Sequence, residues 1–190
     1  MKIFFFDTET TGLPKNYKES ASNDDNWPRL VQVAWEMWED DKLISQQFAI
    51  IKPEGFMISL NVSKIHGITT EIAVEKGAVL VNVLNALELD IKLAELVVGH
   101  NISFDIGVLG SEFLRMCYTN PLNGKILYCT KEKSANICKI PGNYGKYKWP
   151  NLAELYFYLF KKDFNGAHNA INDVRACREC YFEMRRLYNG

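Results

Sequence analysis

Residues 2–7 (KIFFFD) form an apolar run of strand length that ends in an acid. Residues 8–28 are polar and rich in turn formers, among them Gly12, Pro14, Asn16, Asp24, Asp25 and Pro28, and predict an exposed loop. Apolar and polar positions alternate over 29–38 (RLVQVAWEMW) and, less cleanly, over 43–51 (LISQQFAII); with Asp40-Asp41 as the turn they predict a hairpin. Residues 61–77 predict two short helices around Gly67, the second capped by Thr69 or Thr70, whose hydroxyl accepts a free backbone N–H. Val79, Val83, Leu84, Leu87, Ile91 and Ala94 recur at helical spacing over 79–94. ELVVGH (95–100) is too short for a helix and predicts a buried strand, with a helix over 103–117 after it and a short strand at 126–129 (ILYC). Residues 131–150 are basic and irregular, with Pro141, Gly142, Gly145 and Pro150. Asn151 caps a helix, NLAELYFYLF, most simply buried on one face, and a last helix runs from Asn169 to Tyr188. Strands come first, then strands alternating with helices, which predicts a mixed sheet covered by helices: one α/β domain over 1–190.

Composition narrows the class. The chain has 190 residues, 47% of them hydrophobic, which suits one soluble core and excludes disordered, collagen-like and disulfide-scaffold proteins. No apolar run approaches the ~20 residues of a bilayer span. The N-terminal apolar patch is too short for a signal-peptide core, so Met1 is expected to begin the mature protein. Five cysteines, an odd number, suit a reducing, cytoplasmic compartment, and the Cys177/Cys180 pair, with no second pair, is expected to be structural rather than a zinc site. The net charge of −1 conceals an asymmetry: residues 1–110 carry −7 and residues 111–190 carry +6. Such a split is either scattered surface charge or a cation site beside a surface for anions.

Candidate chemistry favours the second reading. Asp7 and Glu9, two apart at a strand end, project from the same face. Two like charges side by side are either solvated at a frayed end or need a cation or raised pKa values. Asp105, in HNISFD (100–105), follows the buried strand and opens a helix near the edge of the sheet where ligands gather. A lone Asp near a helix start is more often an acid favoured by the helix dipole. His168 and Asp173, in HNAIND (168–173), sit at a loop-to-helix junction. Together, four carboxylates and one His suit a hard-cation site for Mg²⁺ or Mn²⁺ rather than Zn²⁺. Two such ions can clamp both oxygens of a phosphodiester displacement, and a neutral His can take the proton of the attacking water.

FFFDTETTGL (4–13), HNISFD (100–105) and HNAIND (168–173), in this order and spacing, resemble the three motifs of the DnaQ-like 3′→5′ exonucleases with the DEDDh signature. The resemblance implies an RNase H-like fold: a mixed five-stranded sheet, its first three strands antiparallel and the rest parallel, flanked by helices. It implies two Mg²⁺ or Mn²⁺ ions. Asp7, Glu9 and Asp173 would hold the one that activates water; Asp7 and Asp105 would hold the one at the leaving 3′ oxygen. His168 would be the general base. The backbone from Thr8 through Thr10 and Thr11, with Gly12 and Leu13, would meet the terminal nucleotide; Asn101 and Phe104 would orient the strand, and His66 would line the terminal-base pocket. The expected substrate is a single-stranded 3′ end, DNA in preference to RNA, trimmed to 5′-mononucleotides. A polymerase in trans is one candidate partner, with proofreading, DNA repair and RNA end-trimming all open, and a monomer or homodimer is expected.

Two segments depart from the compact bacterial proofreading subunits of that family: the long 14–28 loop and the 119–150 elaboration. The latter carries Lys125, Lys131, Lys133, Lys139, Lys146 and Lys148 against one acid, Glu132, with Tyr144, Tyr147 and Trp149 interleaved. Lys146, Tyr147, Lys148 and Trp149 are therefore candidate strand contacts. FFFDTETT also resembles the haloacid-dehalogenase phosphatases, but no late acidic pair follows a strand, and His168 would be idle. A non-catalytic nucleic-acid-binding module is the alternative from another class.

Overall fold

The computed structural model describes residues 1–23 and 25–188; Asp24, part of the expected loop, and Asn189 and Gly190, part of the expected domain, lie outside the described residues. Five strands form one sheet: β1 (Lys2–Thr10), β2 (Leu30–Glu39), β3 (Lys42–Ile50), β4 (Leu96–Gly99) and β5 (Ile126–Cys129), in the order β3-β2-β1-β4-β5. β1, β2 and β3 pair antiparallel, and β4 and β5 join parallel to β1, which bears out the expected mixed sheet. The helices among the described residues are α1 (Leu60–His66), α2 (Thr70–Lys76), α3 (Leu80–Leu93), α4 (Ile102–Arg115), α5 (Thr130–Cys138), α6 (Leu152–Phe160) and α7 (Ala170–Tyr188). None of them is long and apolar enough to cross a membrane.

The unbroken FFF run reflects a strand buried on both faces. Alternation sends Phe4 and Phe6 one way, into a core with Trp35 and Val97 that Leu84, Leu87 and Ile91 of α3 and Val108 and Phe113 of α4 close. Phe5 points the other way, with Ala34 and Val98, onto Val174, Cys177 and Tyr181 of α7. α6 and the end of α5 cover the outer side of α7 through Leu155, Tyr156 and Cys138, which meet Ala176, Cys180 and Met184. Each fully buried apolar side chain of this kind contributes ~1.5–3 kcal/mol, so β1 is held firmly from both faces of the sheet.

Local signals behave as their chemistry dictates. Asp40 and Asp41 both adopt left-handed φ values, 47° and 64°, as a two-residue hairpin turn requires. The Thr69 hydroxyl accepts from the Ile72 N–H at 3.3 Å, capping α2. Asn151 and Glu154 form a reciprocal capping box at the start of α6.

Three expectations need correction. β1 does not stop at Asp7 but runs on to Thr10, because β2 continues to pair with it through Asp7↔Ala34 and Glu9↔Gln32. The segment between β1 and β2 is not simply exposed: Asn26 and Trp27 are buried. The Trp27 ring lies on Gly107 of α4, where a Cβ would come within 2.1 Å of it, and its Nε1 donates to the Ser20 carbonyl at 3.1 Å. Residues 131–150 are not wholly irregular: they include most of α5 and a small hairpin in which Lys148 N–H donates to the Ile140 carbonyl and Gly142 N–H to the Lys146 carbonyl. α5 (TKEKSANIC) buries only Thr130, Ser134 and Cys138, too weak an apolar stripe to be read from sequence.

Candidate active site

Asp7 and Glu9 share a face of β1, and α7 crosses that face with Asp173 in its first turn. One carboxylate oxygen from each of the three lies within 4.8 Å of the others. The start of α7 is pinned where this requires it: Ala170 N–H donates at 3.1 Å to Gln32 Oε1, and Gln32 is the β2 residue opposite Glu9. Asp105 reaches the strand end from the other side of the sheet. Its Oδ1 accepts from Thr8 N–H at 3.1 Å and from Thr8 Oγ1 at 2.6 Å, and Thr8 is the residue between Asp7 and Glu9. That pair of bonds ties α4 to the acidic strand end. Asp105 itself stands outside the three-oxygen group.

This crowding raises all four acids. Burial, then the charges of Asp105, Asp173 and Glu9, push Asp7 well above the usual carboxylate range. Burial, then Asp173 and Asp105, push Glu9 up to about 7. Burial takes Asp105 to about 7 against the pull of the Thr8 hydrogen bonds. Asp173 rises to about 6, again through burial, with His168 opposing. Acids that resist ionising together are stabilised by protons or by a hard cation. An all-oxygen donor set of this kind fits Mg²⁺ or Mn²⁺.

One cleft of about 390 Å³ brings together Asp7, Thr8, Glu9, Leu13, Asn101, Phe104, His168 and Asp173. His168 is exposed at its rim with φ 65°, and Asn101 is also left-handed, φ 71°. Such backbone conformations cost a side-chain-bearing residue of order ~1–2 kcal/mol and collect at functional sites. A second cleft, about 270 Å³, shares Thr8, Glu9, Leu13 and Phe104 and extends to Thr10, Gly12, Val62, Ile65 and His66. The Nδ1 of His66 accepts from Ile68 N–H at 3.1 Å, which places the ring proton on Nε2. Burial lowers its pKa, partly against the backbone of Thr10, so the ring is neutral at pH 7.

The remaining candidates sit elsewhere. Thr11 lines neither cleft; its hydroxyl accepts from Arg29 N–H at 3.0 Å and holds the loop. Lys146, Tyr147, Lys148 and Trp149 also lie outside both linings, on the 140–148 hairpin and just after it. Lys148 is engaged by Glu154, and Trp149 lies under Lys131 Nζ, 5.1 Å from the ring centre.

The cleft adds Tyr17, His100 and Leu152, which sequence reasoning did not single out. His100 had a signal, since it opens the second motif. Its Nδ1 meets Thr130 Oγ1 at 2.9 Å and its Nε2 meets the Pro150 carbonyl at 3.2 Å, joining the end of β4 to the starts of α5 and α6. Burial, with the nearby charge of Lys131, lowers its pKa to about 4. Tyr17 and Leu152 carried no signal, because only folding brings them there; the Tyr17 ring stands 6.4 Å from that of Phe104.

A family model described as exonuclease (RNase_T) matches residues 4–181. The chain belongs to this exonuclease family. The membership bears out the resemblance read from the three motifs, and the five-stranded sheet flanked by helices is its RNase H-like fold. Among solved structures, exonuclease I of Escherichia coli in complex with a dT13 oligonucleotide is similar over 99% of this chain and 42% of that one, with a TM-score of 0.77 and 18% identity. Exonuclease I of Methylocaldum szegediense is similar over 99% of this chain and 41% of that one, with a TM-score of 0.75 and 20% identity. At such identities the likeness is one of fold, and the chain spans about two fifths of the length of these exonucleases. No curated protein matches the sequence.

Proposed function

We propose that this member of the exonuclease family is a divalent-metal-dependent 3′→5′ exonuclease on single-stranded DNA, that it releases 5′-mononucleotides, and that residues 1–190 form one exonuclease domain. The observation that carries the reading is the convergence of Asp7, Glu9 and Asp173 oxygens within 4.8 Å, with His168 and Asp173 on the wall of the same cleft. Asp7, Glu9 and Asp173 would hold a Mg²⁺ or Mn²⁺ ion, and Asp105 with Asp7 a second. When bound, these ions supply charge neutralisation at the phosphoryl group and a more acidic water.

The chain's own residues supply the rest. His168, at the solvent-facing rim, takes the proton of the attacking water on an imidazole nitrogen and releases it to solvent. Thr8 holds Asp105 still through two hydrogen bonds, so that its carboxylate costs little reorganisation during reaction. Leu13 and Phe104, shared by both clefts, offer apolar faces for the terminal base, and the second cleft with His66 receives it. Asn101, which lines the first cleft with Phe104, orients the strand, and the basic, aromatic 140–148 hairpin with Trp149 guides the unpaired strand inward.

DNA is favoured because the E. coli relative of similar fold is bound to dT13. RNA trimming and non-catalytic binding are the competing outcomes. A polymerase acting in trans, a monomeric or homodimeric state, and a reducing, cytoplasmic setting supported by five free thiols complete the proposal.

The test is degradation of matched 5′-labelled DNA and RNA single strands with Mg²⁺, Mn²⁺ or EDTA, with Asp7→Ala as control. A metal-dependent ladder shortening from the 3′ end, absent in the variant, is expected. Equal or faster RNA cleavage overturns the DNA preference, and binding without cleavage overturns the hydrolase.

A further inference from the structure

Lys131 is the second residue of α5, at the strand-end edge of the sheet where the acidic cleft opens. Its Nζ donates to Asn101 Oδ1 at 3.0 Å and sits over the Trp149 ring, 5.1 Å from its centre. Both partners are neutral, and Lys131 has no ion pair among the described residues. Three other lysines in this half of the chain are engaged elsewhere. Lys148 pairs with Glu154, Lys125 donates to the carbonyls of Lys92 and Ala94, and Lys161 donates to the Tyr158 carbonyl. An ammonium has three donors, and the Asn101 bond and the ring face occupy at most two. The side chain is half-buried, so much of its rotamer freedom is already lost and ordering it on a ligand costs little more.

The position matters as much as the charge. Asn101 lines the cleft that holds Asp7, Glu9 and Asp173, whereas Trp149 ends the basic hairpin. Lys131 therefore links the acidic cleft to the basic arm, and it offers the free positive charge that the acids lack. Because an ammonium only donates, it also fixes the Asn101 amide with Oδ1 towards Lys131, leaving the Nδ2 donors for the cleft.

We infer that Lys131 is a strand-positioning cation whose Nζ contacts one backbone phosphate of the single strand at the mouth of the cleft, with Asn101 and Trp149 as its supports. The inference rests on the single-strand exonuclease reading. Its test compares the wild type with Lys131→Met and Lys131→Arg on a 5′-labelled single-stranded oligonucleotide. Cleavage is read with Mg²⁺ and equilibrium binding with Ca²⁺, each across a NaCl series.

Lys131→Met is expected to raise KM about tenfold with kcat within about twofold, a loss of uniform binding. It is expected to flatten the log–log salt slope by about 0.7, the share of one single-strand phosphate. Lys131→Arg, still charged, is expected to keep KM within about threefold and the full slope. A single neutral methylphosphonate walked along the last linkages should weaken the wild type at one linkage and leave Lys131→Met unaffected there. A merely structural tie would lower Tm and kcat and leave the slope and the linkage pattern unchanged, and that result overturns the inference. If the wild type binds but does not cleave, the hydrolase reading fails while the binding slope still decides Lys131. If it neither binds nor cleaves, both fall.

Discussion

At the scale of residues, the site is defined by acids that the fold forces together. Removing a proposed ligand should be felt differently from removing the proposed base. Asp7→Ala and Asp173→Asn are expected to abolish cleavage together with Mn²⁺ binding measured by titration calorimetry. His168→Ala is expected to keep Mn²⁺ binding and to lose about 10²–10⁴-fold in kcat, the usual worth of a general base. A His168→Ala enzyme as fast as the wild type would remove that role.

The raised pKa values give a signed pH effect. Glu9 and Asp105 reach about 7 and Asp173 about 6, each above its unfolded value. The metal-free fold therefore holds more protons than the unfolded chain over roughly pH 4 to 7, and these carboxylates cost it stability as pH rises through that window. A cation competes with those protons, so the Tm gain from a fixed Mn²⁺ concentration should grow from pH 5 to pH 7.5. Thermal scans at several pH values check this; a gain that is flat or falls with pH would contradict the assignment of these carboxylates as ligands.

At the scale of elements, two contacts decide where the acids stand. The Thr8–Asp105 bonds fix α4 against β1, and the Gln32–Ala170 bond fixes α7 against β2. α4 has a further constraint, since the ring of Trp27 rests on Gly107. Gly107→Ala is expected to displace Trp27 and destabilise the protein by about 1–3 kcal/mol, the range for overpacking. Chemical denaturation followed by tryptophan fluorescence reads both effects. Asn151→Ala removes one half of the α6 capping box and is expected to cost about 0.5–2 kcal/mol in the same assay. Neither change touches the acids, so Mn²⁺ affinity of the folded variants should remain within a few-fold of the wild type.

At the scale of the whole molecule, the charge asymmetry along the chain becomes an arrangement in space. The −7 of residues 1–110 includes three of the four clustered acids, and the +6 of residues 111–190 includes Lys131 and the hairpin. An acidic cleft repels a polyanion until a cation neutralises it, while a basic arm attracts it at long range. Single-strand affinity, followed by fluorescence anisotropy, should accordingly tighten when Ca²⁺ replaces EDTA and weaken steadily with NaCl. Affinity indifferent to both would separate the acidic cleft from strand binding.

The sequence by itself determined the class and much of the site. The double-sided burial of FFF, the alternation in β2 and the helical spacing of α3 are local consequences of hydrophobicity and backbone period, so they are legible without a partner. So are the Asp40-Asp41 turn and the Thr69 and Asn151 caps, which are chemistry within a few residues. Asp7, Glu9 and Asp173 were legible as a set because their types and motif spacing are distinctive, and the fold does bring them together. What only the tertiary structure decided is whatever depends on contact between segments far apart in the chain. The extension of β1 past Asp7 depends on pairing with β2, and the burial of Trp27 depends on a glycine 80 positions away. α5 is held by neighbours rather than by its own weak apolar stripe. The same holds at the cleft. Asp105 stands apart from the other three acids because Thr8 captures it from the opposite face of the sheet, and His100, Tyr17 and Lys131 reach the cleft or its rim by contacts that no local pattern encodes. Hydrophobic period and motif spacing act along the chain, whereas hydrogen bonds, packing and crowded charge act through space, and only the folded chain brings the second set into being.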